Sequence, residues 1–362
     1  MPEPPRLPLV LFYPLYGGHP LRCLRSKLGY NAPGALSVIP GLDPGIYYMT
    51  LQEIKSKIIK DLTQTSPSPK LDAEVLLSYC LSFSKTELLL KRDYEVPADK
   101  EAWLLDATSR RTAGLPIAYI TGHKEFYGYD FIVSPDVLIP KPDTEILVER
   151  AVDVILSKID ARPDSLLTVC DMCTGSGCIA LAAAKTLLED ERVPPEQLPK
   201  FTLADISEPA LDIARRNAQI LLAPHGTLAA SRFTFVRTNL FDAIPEAIKF
   251  DVILSNPPYI PHTMVDTLLQ DGRSEPRLAL DGDITITGDR ALTQSGSPAN
   301  DGLEIIRNLI PQADAHLAPY GTILMETGEY NAEKTAELAR KAGFLSNIHR
   351  DLEGQLRVVE MS

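Results

Sequence analysis

Four consecutive residues, Asn256-Pro257-Pro258-Tyr259, carry the most chemically suggestive arrangement in the chain. They follow Phe250 to Leu254, a short apolar run with β-branched residues that predicts a buried strand. Neither proline has an N–H to donate and both fix φ near −65°, so the strand must stop and a stiff loop must begin. Such a loop at the carboxyl edge of a sheet displays the Asn256 carboxamide, the main-chain carbonyls around Pro257 and the Tyr259 ring. Open α/β sheets place their ligands at that edge. Asn-Pro is also a common turn starter, so the tetrapeptide alone leaves a plain turn as an alternative.

Two further features point the same way. The stretch Asp171 to Gly177, DMCTGSG, is a strand-to-helix turn in which Gly175 and Gly177 permit close approach of a ligand to the backbone, ahead of the free N–H groups of a helix start. A second strand, Phe201 to Ala204, ends in Asp205, whose carboxylate can accept from both hydroxyls of a ribose or, alternatively, cap the helix Ser207 to Leu221. A third strand, Phe233 to Val236, runs out near Asn239 and Leu240, where an adenine base would lie. A glycine turn, an acid after the second strand and Asn-Pro-Pro-Tyr after the fourth together predict a nucleoside-cofactor site.

The elements that must position these residues alternate strand and helix from Leu138 onward, which predicts a mostly parallel sheet in an α/β domain spanning 138–362. Its first strand is Leu166 to Asp171, followed by the helix Cys178 to Leu188. Later come Thr322 to Glu326, a helix over Ala332 to Lys341, and Phe344 to Arg350 with Gln355 to Glu360 as a hairpin. Ahead of the first strand, Pro140 and Pro142 hold LIPKPDTE (Leu138 to Glu145) extended. Asp143 or Thr144 then caps a helix through Ile155 that can cover a ligand. Residues 115–137 read as a β-hairpin connector around Gly122 and Gly128. Before it, 49–114 reads as a helical bundle with capping boxes at Thr50/Glu53 and Ser84/Glu87, a buried stripe Ala73, Leu76, Leu77, Cys80 and Leu81, and a helix opened by Pro97 and closed by Gly114. The segment Asp283 to Asn300 is polar and aperiodic and reads as a surface insertion. Residues 1–48 are rich in proline, poor in acids and aperiodic, and read as a disordered extension with Met49 as the start of the fold.

Composition limits the function classes. At 362 residues and 44% hydrophobic the chain can bury a large core and a small one. No apolar run approaches the ~20 residues of a membrane span. A formal net charge of −12 builds in no general attraction to phosphate backbones. The five cysteines are scattered, and Cys170 and Cys173 have C-x-x-C spacing without a second pair or histidines to complete a zinc site, so reduced thiols and no metal are expected. These features suit a cytoplasmic protein. Arg6, Arg22, Arg25 and Lys27 would instead suit a mitochondrial-matrix protein if the extension is a transit peptide, although its prolines would break an amphipathic helix.

From about Met49 to the end the chain resembles the bacterial protein-(glutamine-N5) methyltransferases that modify class 1 peptide-chain release factors, the HemK/PrmC family. The resemblance is carried by LPIAYITG (Leu115 to Gly122), LIPKPDTE, DMCTGSG, SNPPYI (Ser255 to Ile260), SEPRLAL (Ser274 to Leu280) and DGLEIIR (Asp301 to Arg307), in the family's order. Two departures stand out: Cys173 occupies a position where the family usually has glycine, and the insertion before Asp301 interrupts a segment that is normally continuous.

The resemblance implies a Rossmann-like class I S-adenosylmethionine-dependent methyltransferase sheet with a small N-terminal helical bundle that recognises the substrate. It implies that S-adenosyl-L-methionine lies across Cys173, Thr174, Gly175, Ser176 and Gly177, with Asp205 on its ribose, Leu240 near the adenine, and Leu138 and Pro140 closing over it. Asn256 and the Pro257 carbonyl would accept from the two N–H groups of the glutamine in a Gly-Gly-Gln loop, while Pro258 stiffens the loop and Tyr259 packs against the amide. Three functions fit these residues: the release-factor methyltransferase, with no nucleic-acid contact; a methyltransferase of exocyclic adenine or cytosine amines, with which NPPY is shared; and a binding module without turnover.

Overall fold

A computed structural model describes residues 48–270, 275–285, 287–292 and 296–362. The expectations for residues 1–47, and for parts of the insertion, lie outside the described residues. The chain divides into two units, Met1–Tyr47 and Tyr48–Ser362, and all of the described elements belong to the second.

Its first part is the helical bundle: α1 (Leu51–Leu62), α2 (Pro69–Leu81), α3 (Lys85–Leu90) and α4 (Ala98–Thr112). Both capping boxes form, with Thr50 and Ser84 each accepting from the backbone of the glutamate three residues on. Leu51, Ile54, Ile58, Leu76, Leu77 and Leu104 meet in one fully buried cluster, as the 3.6-residue spacing requires. A salt bridge between Arg111 and the mostly buried Asp72, at 2.7 Å, ties α4 to α2.

The connector contains the expected hairpin, β1 (His123–Phe126) and β2 (Tyr129–Ile132), turning through Tyr127 and Gly128, both at positive φ. It also contains a short helix that the pattern did not reveal, α5 (Ile117–Thr121), entered through Pro116. Four of its five residues are β-branched or aromatic, which reads locally as strand, but Ile120 buries into the bundle and tertiary packing decides.

The chain then alternates α6 (Glu145–Ala161), β3 (Thr168–Met172), α7 (Cys178–Glu189), β4 (Lys200–Asp205), α8 (Glu208–Leu222), α9 (Gly226–Ala230), β5 (Phe233–Arg237), β6 (Phe250–Ser255), α10 (His262–Gln270), α11 (Glu304–Ala315), β7 (Leu317–Glu326), α12 (Ala332–Lys341), β8 (Ser346–Arg350) and β9 (Leu356–Met361). Among the described residues seven strands form one sheet in the order β5-β4-β3-β6-β7-β9-β8. The first five are mutually parallel, and β9 runs antiparallel to both β7 and β8. Helices cover both faces, giving two cores: one joins α6, α7 and α8, the other α11, α12 and Phe241. Strand β6 is buried along its whole length, Asp251 included, as the apolar run Val252–Leu254 predicts for a central parallel strand. Strand order reverses at β3, whose neighbours are β4 and β6, so this is the switch point where such sheets open a crevice at their carboxyl ends.

Two expectations need correction. Neither Asp143 nor Thr144 caps α6. A 3-10 turn over Pro142–Thr144 runs straight into the helix, so Thr144 already has helical backbone angles and its hydroxyl is free to point elsewhere. The segment Asp283 to Asn300 is not wholly on the surface. Asp283 is fully buried, accepting from the backbone N–H of His262 (3.2 Å) and Gly302 (2.8 Å), while Ile284, Ala291 and Ala299 are buried beside it. A polar residue is buried here because two buried main-chain donors need an acceptor.

Candidate active site

The site is assembled from the carboxyl ends of four adjacent strands. Strand β3 delivers Asp171 and the DMCTGSG turn, β4 ends in Asp205, β6 ends in Ser255 ahead of Asn256, and β7 ends in Glu326. A cavity of about 590 Å³ opens above them. Leu138, Pro140, Cys173, Thr174, Gly175, Ser176, Asp205, Leu240, Asn256 and Pro258 all line it. A second cavity of about 120 Å³ adjoins the first and is lined by Pro257, Tyr259 and Glu326. Leu138, Lys141, Asn256 and Ala279 border both.

Gly177 is the one member of the expected set that borders neither cavity. A side chain there would press on Leu181, Ala214 and Leu203 at 3.0–3.2 Å, so this glycine serves close packing of helix against strand rather than ligand approach. Gly175, by contrast, has open space where a Cβ would stand. Cys173 sits at φ 62° and Leu240 at φ 47°, in the left-handed region that side chains disfavour. That backbone explains why glycine suits position 173, and it shows that this chain holds the same turn with a cysteine. Burial pushes the thiols of Cys170, Cys173 and Cys178 up, so none is a ready thiolate.

Asp205 is half-buried, and desolvation raises its pKa against the N–H groups of Ser207 and Gly175, each 2.9 Å from a carboxylate oxygen. It therefore ties the glycine turn to β4 while lining the larger cavity. Ser207, not Asp205, caps α8. Asp171, fully buried beneath the turn, accepts from the Thr174 hydroxyl at 2.6 Å and the Ala180 N–H at 3.3 Å; desolvation still pushes it up to about 7.

The loop after β6 is held from behind. The Tyr259 carbonyl accepts from Asn331 Nδ2 (3.0 Å) and the Tyr330 hydroxyl (3.3 Å), and a side chain at Gly302 would run into that carbonyl. The Tyr259 hydroxyl donates to Glu326 at 3.1 Å, and Asn256 Nδ2 donates to the Thr144 hydroxyl at 3.3 Å. Asn256 Oδ1 is thereby left as the acceptor that the carboxamide can offer a ligand. An apolar-walled chamber with an acid at its base and an open glycine backbone suits a nucleoside bearing a cationic group, and the adjoining small chamber suits an amide.

The comparisons with known proteins agree with this geometry. Residues 53–122 match the family model described as the PrmC N-terminal domain, and residues 147–296 match the methyltransferase small domain. The release factor glutamine methyltransferase of Burkholderia pseudomallei is 37% identical over 306 residues, covering 82% of this chain and 95% of that protein. The protein of the same name from Koribacter versatilis is 37% identical over 314 residues, covering 86% and 98%, and that from Moorella thermoacetica is 35% identical over 303 residues, covering 83% and 93%. The chain belongs to the release factor glutamine methyltransferase family.

Several residues of this family member's site escape the sequence reading. Glu326 and Asp171 are strand-end acids, the same signal that drew attention to Asp205. Lys141 and Glu275 form a 2.7 Å salt bridge across the mouth of the small cavity, 134 positions apart in sequence. Ile284, Thr285 and Ala291 of the insertion, with Asn308 and Gln312 of α11, complete the wall of the larger cavity. No local pattern marks these, because a long-range fold brings them there.

Proposed function

We propose that the enzyme transfers a methyl group from S-adenosylmethionine to the side-chain nitrogen of the glutamine in the Gly-Gly-Gln loop of a class 1 release factor. The carrying observation is the pair of cavities that meet at Asn256, one sized for a cofactor and one for a side chain. S-adenosylmethionine supplies, when bound, a methyl group activated by a positive sulfur. The residues that would hold it are Thr174 to Gly175 through their backbone, Asp205 at the ribose, Leu240 at the base, and Leu138 and Pro140 above.

An amide nitrogen is a poor nucleophile because its lone pair is delocalised. Asn256 Oδ1 and the Pro257 carbonyl would accept its two N–H groups, aim the nitrogen and stabilise positive charge as it grows there, an interaction stronger in the transition state than before it. Tyr259, pinned by Glu326, forms a wall of the small cavity that orients the amide plane. The bundle α1–α4 would receive the body of the release factor, for which exposed Tyr79, Leu89 and Leu90 offer apolar contact.

Mass spectrometry of a release factor incubated with enzyme and S-adenosylmethionine tests this reading. One added methyl on the Gly-Gly-Gln glutamine is expected, and Asn256→Ala should lose it by roughly a hundred- to a thousandfold in rate. An unmodified glutamine beside methylated nucleic acid would select the exocyclic-amine reading instead. Among the described residues no helix is long and apolar enough to cross a membrane.

A further inference from the structure

We propose that Glu326 is a positioning residue that fixes the direction of the hydrogen bonds around Asn256 and Tyr259, and so decides which end of the Asn256 carboxamide faces the acceptor amide. This rests on the functional reading above and deepens it.

A carboxamide is useful at this site one way round only. Its oxygen must face the incoming N–H, because its NH₂ group would repel it. Shape alone does not choose, since the two ends of a carboxamide are nearly isosteric. The choice is made by what the other end meets, which is the Thr144 hydroxyl, accepting from Asn256 Nδ2 at 3.3 Å. A hydroxyl can also donate, and a Thr144 hydroxyl turned toward Asn256 would invite the carboxamide to flip.

Glu326 removes that option. It is 1% exposed at the end of β7, and a carboxylate only accepts. Its Oε1 takes the Tyr259 hydroxyl at 3.1 Å. Its Oε2 is buried with no hydrogen-bond partner, an open acceptor, and the Thr144 hydroxyl is the neighbour that most favours the ionised form. Asn256 donates to Thr144 and Tyr259 donates to Glu326, and a Thr144 hydroxyl turned to the open Oε2 would complete a chain in which donation runs one way. Thr144 is itself 2% exposed, so no bulk solvent competes for its proton.

The groups facing Glu326 come from three elements. Arg357 on β9 favours the charged form, Asp143 beside Thr144 opposes it, and Tyr259 donates from the loop after β6; across the small cavity lies the Lys141–Glu275 pair. Burial nevertheless pushes the carboxyl up to about 7, so the fraction in the direction-setting form changes across neutral pH.

The test compares wild type with Glu326→Gln, which keeps the shape but puts a donor where only acceptors stood. Single-turnover methylation of a release factor should fall ten- to a hundredfold, while calorimetric affinity for S-adenosylmethionine stays within about twofold. The wild-type rate should climb with pH to a plateau above about 7, and the variant should lack that climb. Glu326→Asp, still acceptor-only, should recover part of the rate. Thr144→Val breaks the relay without touching the carboxylate and should show the same loss. Wild-type rates and an unchanged pH profile in Glu326→Gln would overturn the proposal, as would full activity in Thr144→Val. A wild-type protein that leaves the glutamine unmodified would overturn the functional reading and this proposal with it, whereas an active wild type beside an equally active Glu326→Gln would overturn this proposal alone.

Discussion

The substitution Glu326→Gln should change how stability depends on pH, and the size of that change follows from the burial of one carboxyl. Glu326 moves from an ordinary 4.5 to about 7 in the fold, chiefly through desolvation. That difference corresponds to about 3 kcal/mol. The native state binds this proton more tightly than the unfolded chain does. The contribution is thus fully present below about pH 4.5, falls as pH rises through 7, and is gone above it. Between pH 5 and pH 8 about 2–3 kcal/mol of stability is lost through this group, and a glutamine loses none. Packing and any orphaned amide N–H in the variant add an offset of roughly 1–3 kcal/mol, which does not vary with pH and so cancels from the comparison. Urea unfolding of both proteins at pH 5, 6, 7 and 8 reads the quantity directly. The variant should gain about 2–3 kcal/mol on wild type across that range. Parallel stability curves would show that Glu326 ionises at its ordinary value and that the burial argument is wrong.

Asp205→Ala should weaken S-adenosylmethionine binding about ten- to a hundredfold by calorimetry, the loss of roughly 1.5–3 kcal/mol of charge-assisted hydrogen bonding, and unchanged affinity would leave the acid as a strut for the Gly175 turn alone. Cys173→Gly relieves a left-handed backbone worth about 1–2 kcal/mol but frees the unfolded chain by roughly 0.5–1 kcal/mol and gives up a half-buried thiol, so stability should move by less than about 1 kcal/mol and cofactor affinity should hold; a larger loss in thermal unfolding would refute this balance. Replacing residues 286–298 by a short Gly-Ser turn removes Ala291 from the larger cavity and should weaken cofactor binding about fourfold, near 0.8 kcal/mol for a methyl-sized contact, whereas no change at all would mean that the insertion does not bear on the ligand.

What could be read from the sequence is what local physics writes there. The Thr50 and Ser84 capping boxes, the buried run of β6 and the helix over Ala332–Lys341 stand where pattern places them, because each depends on neighbours within a few positions. The short helix α5 and the buried base of the insertion depend on distant partners, and periodicity is silent about those. The site divides along the same line. Asn256, Asp205 and the glycine turn lie at strand ends that the alternating pattern locates, so their meeting at the switch point follows from a parallel sheet alone. Glu326 lies at an equivalent strand end and could have been found by asking which other strands finish in an acid. Thr144 could not: its reading as a helix cap was locally sound, and only the 3-10 turn ahead of α6 releases its hydroxyl to face Asn256. A residue suited to one role by its neighbours thus takes another when a single turn changes geometry. The direction of hydrogen bonding around Asn256, on which the proposed positioning role of Glu326 depends, belongs to the assembled end of the sheet and to no single stretch of the chain.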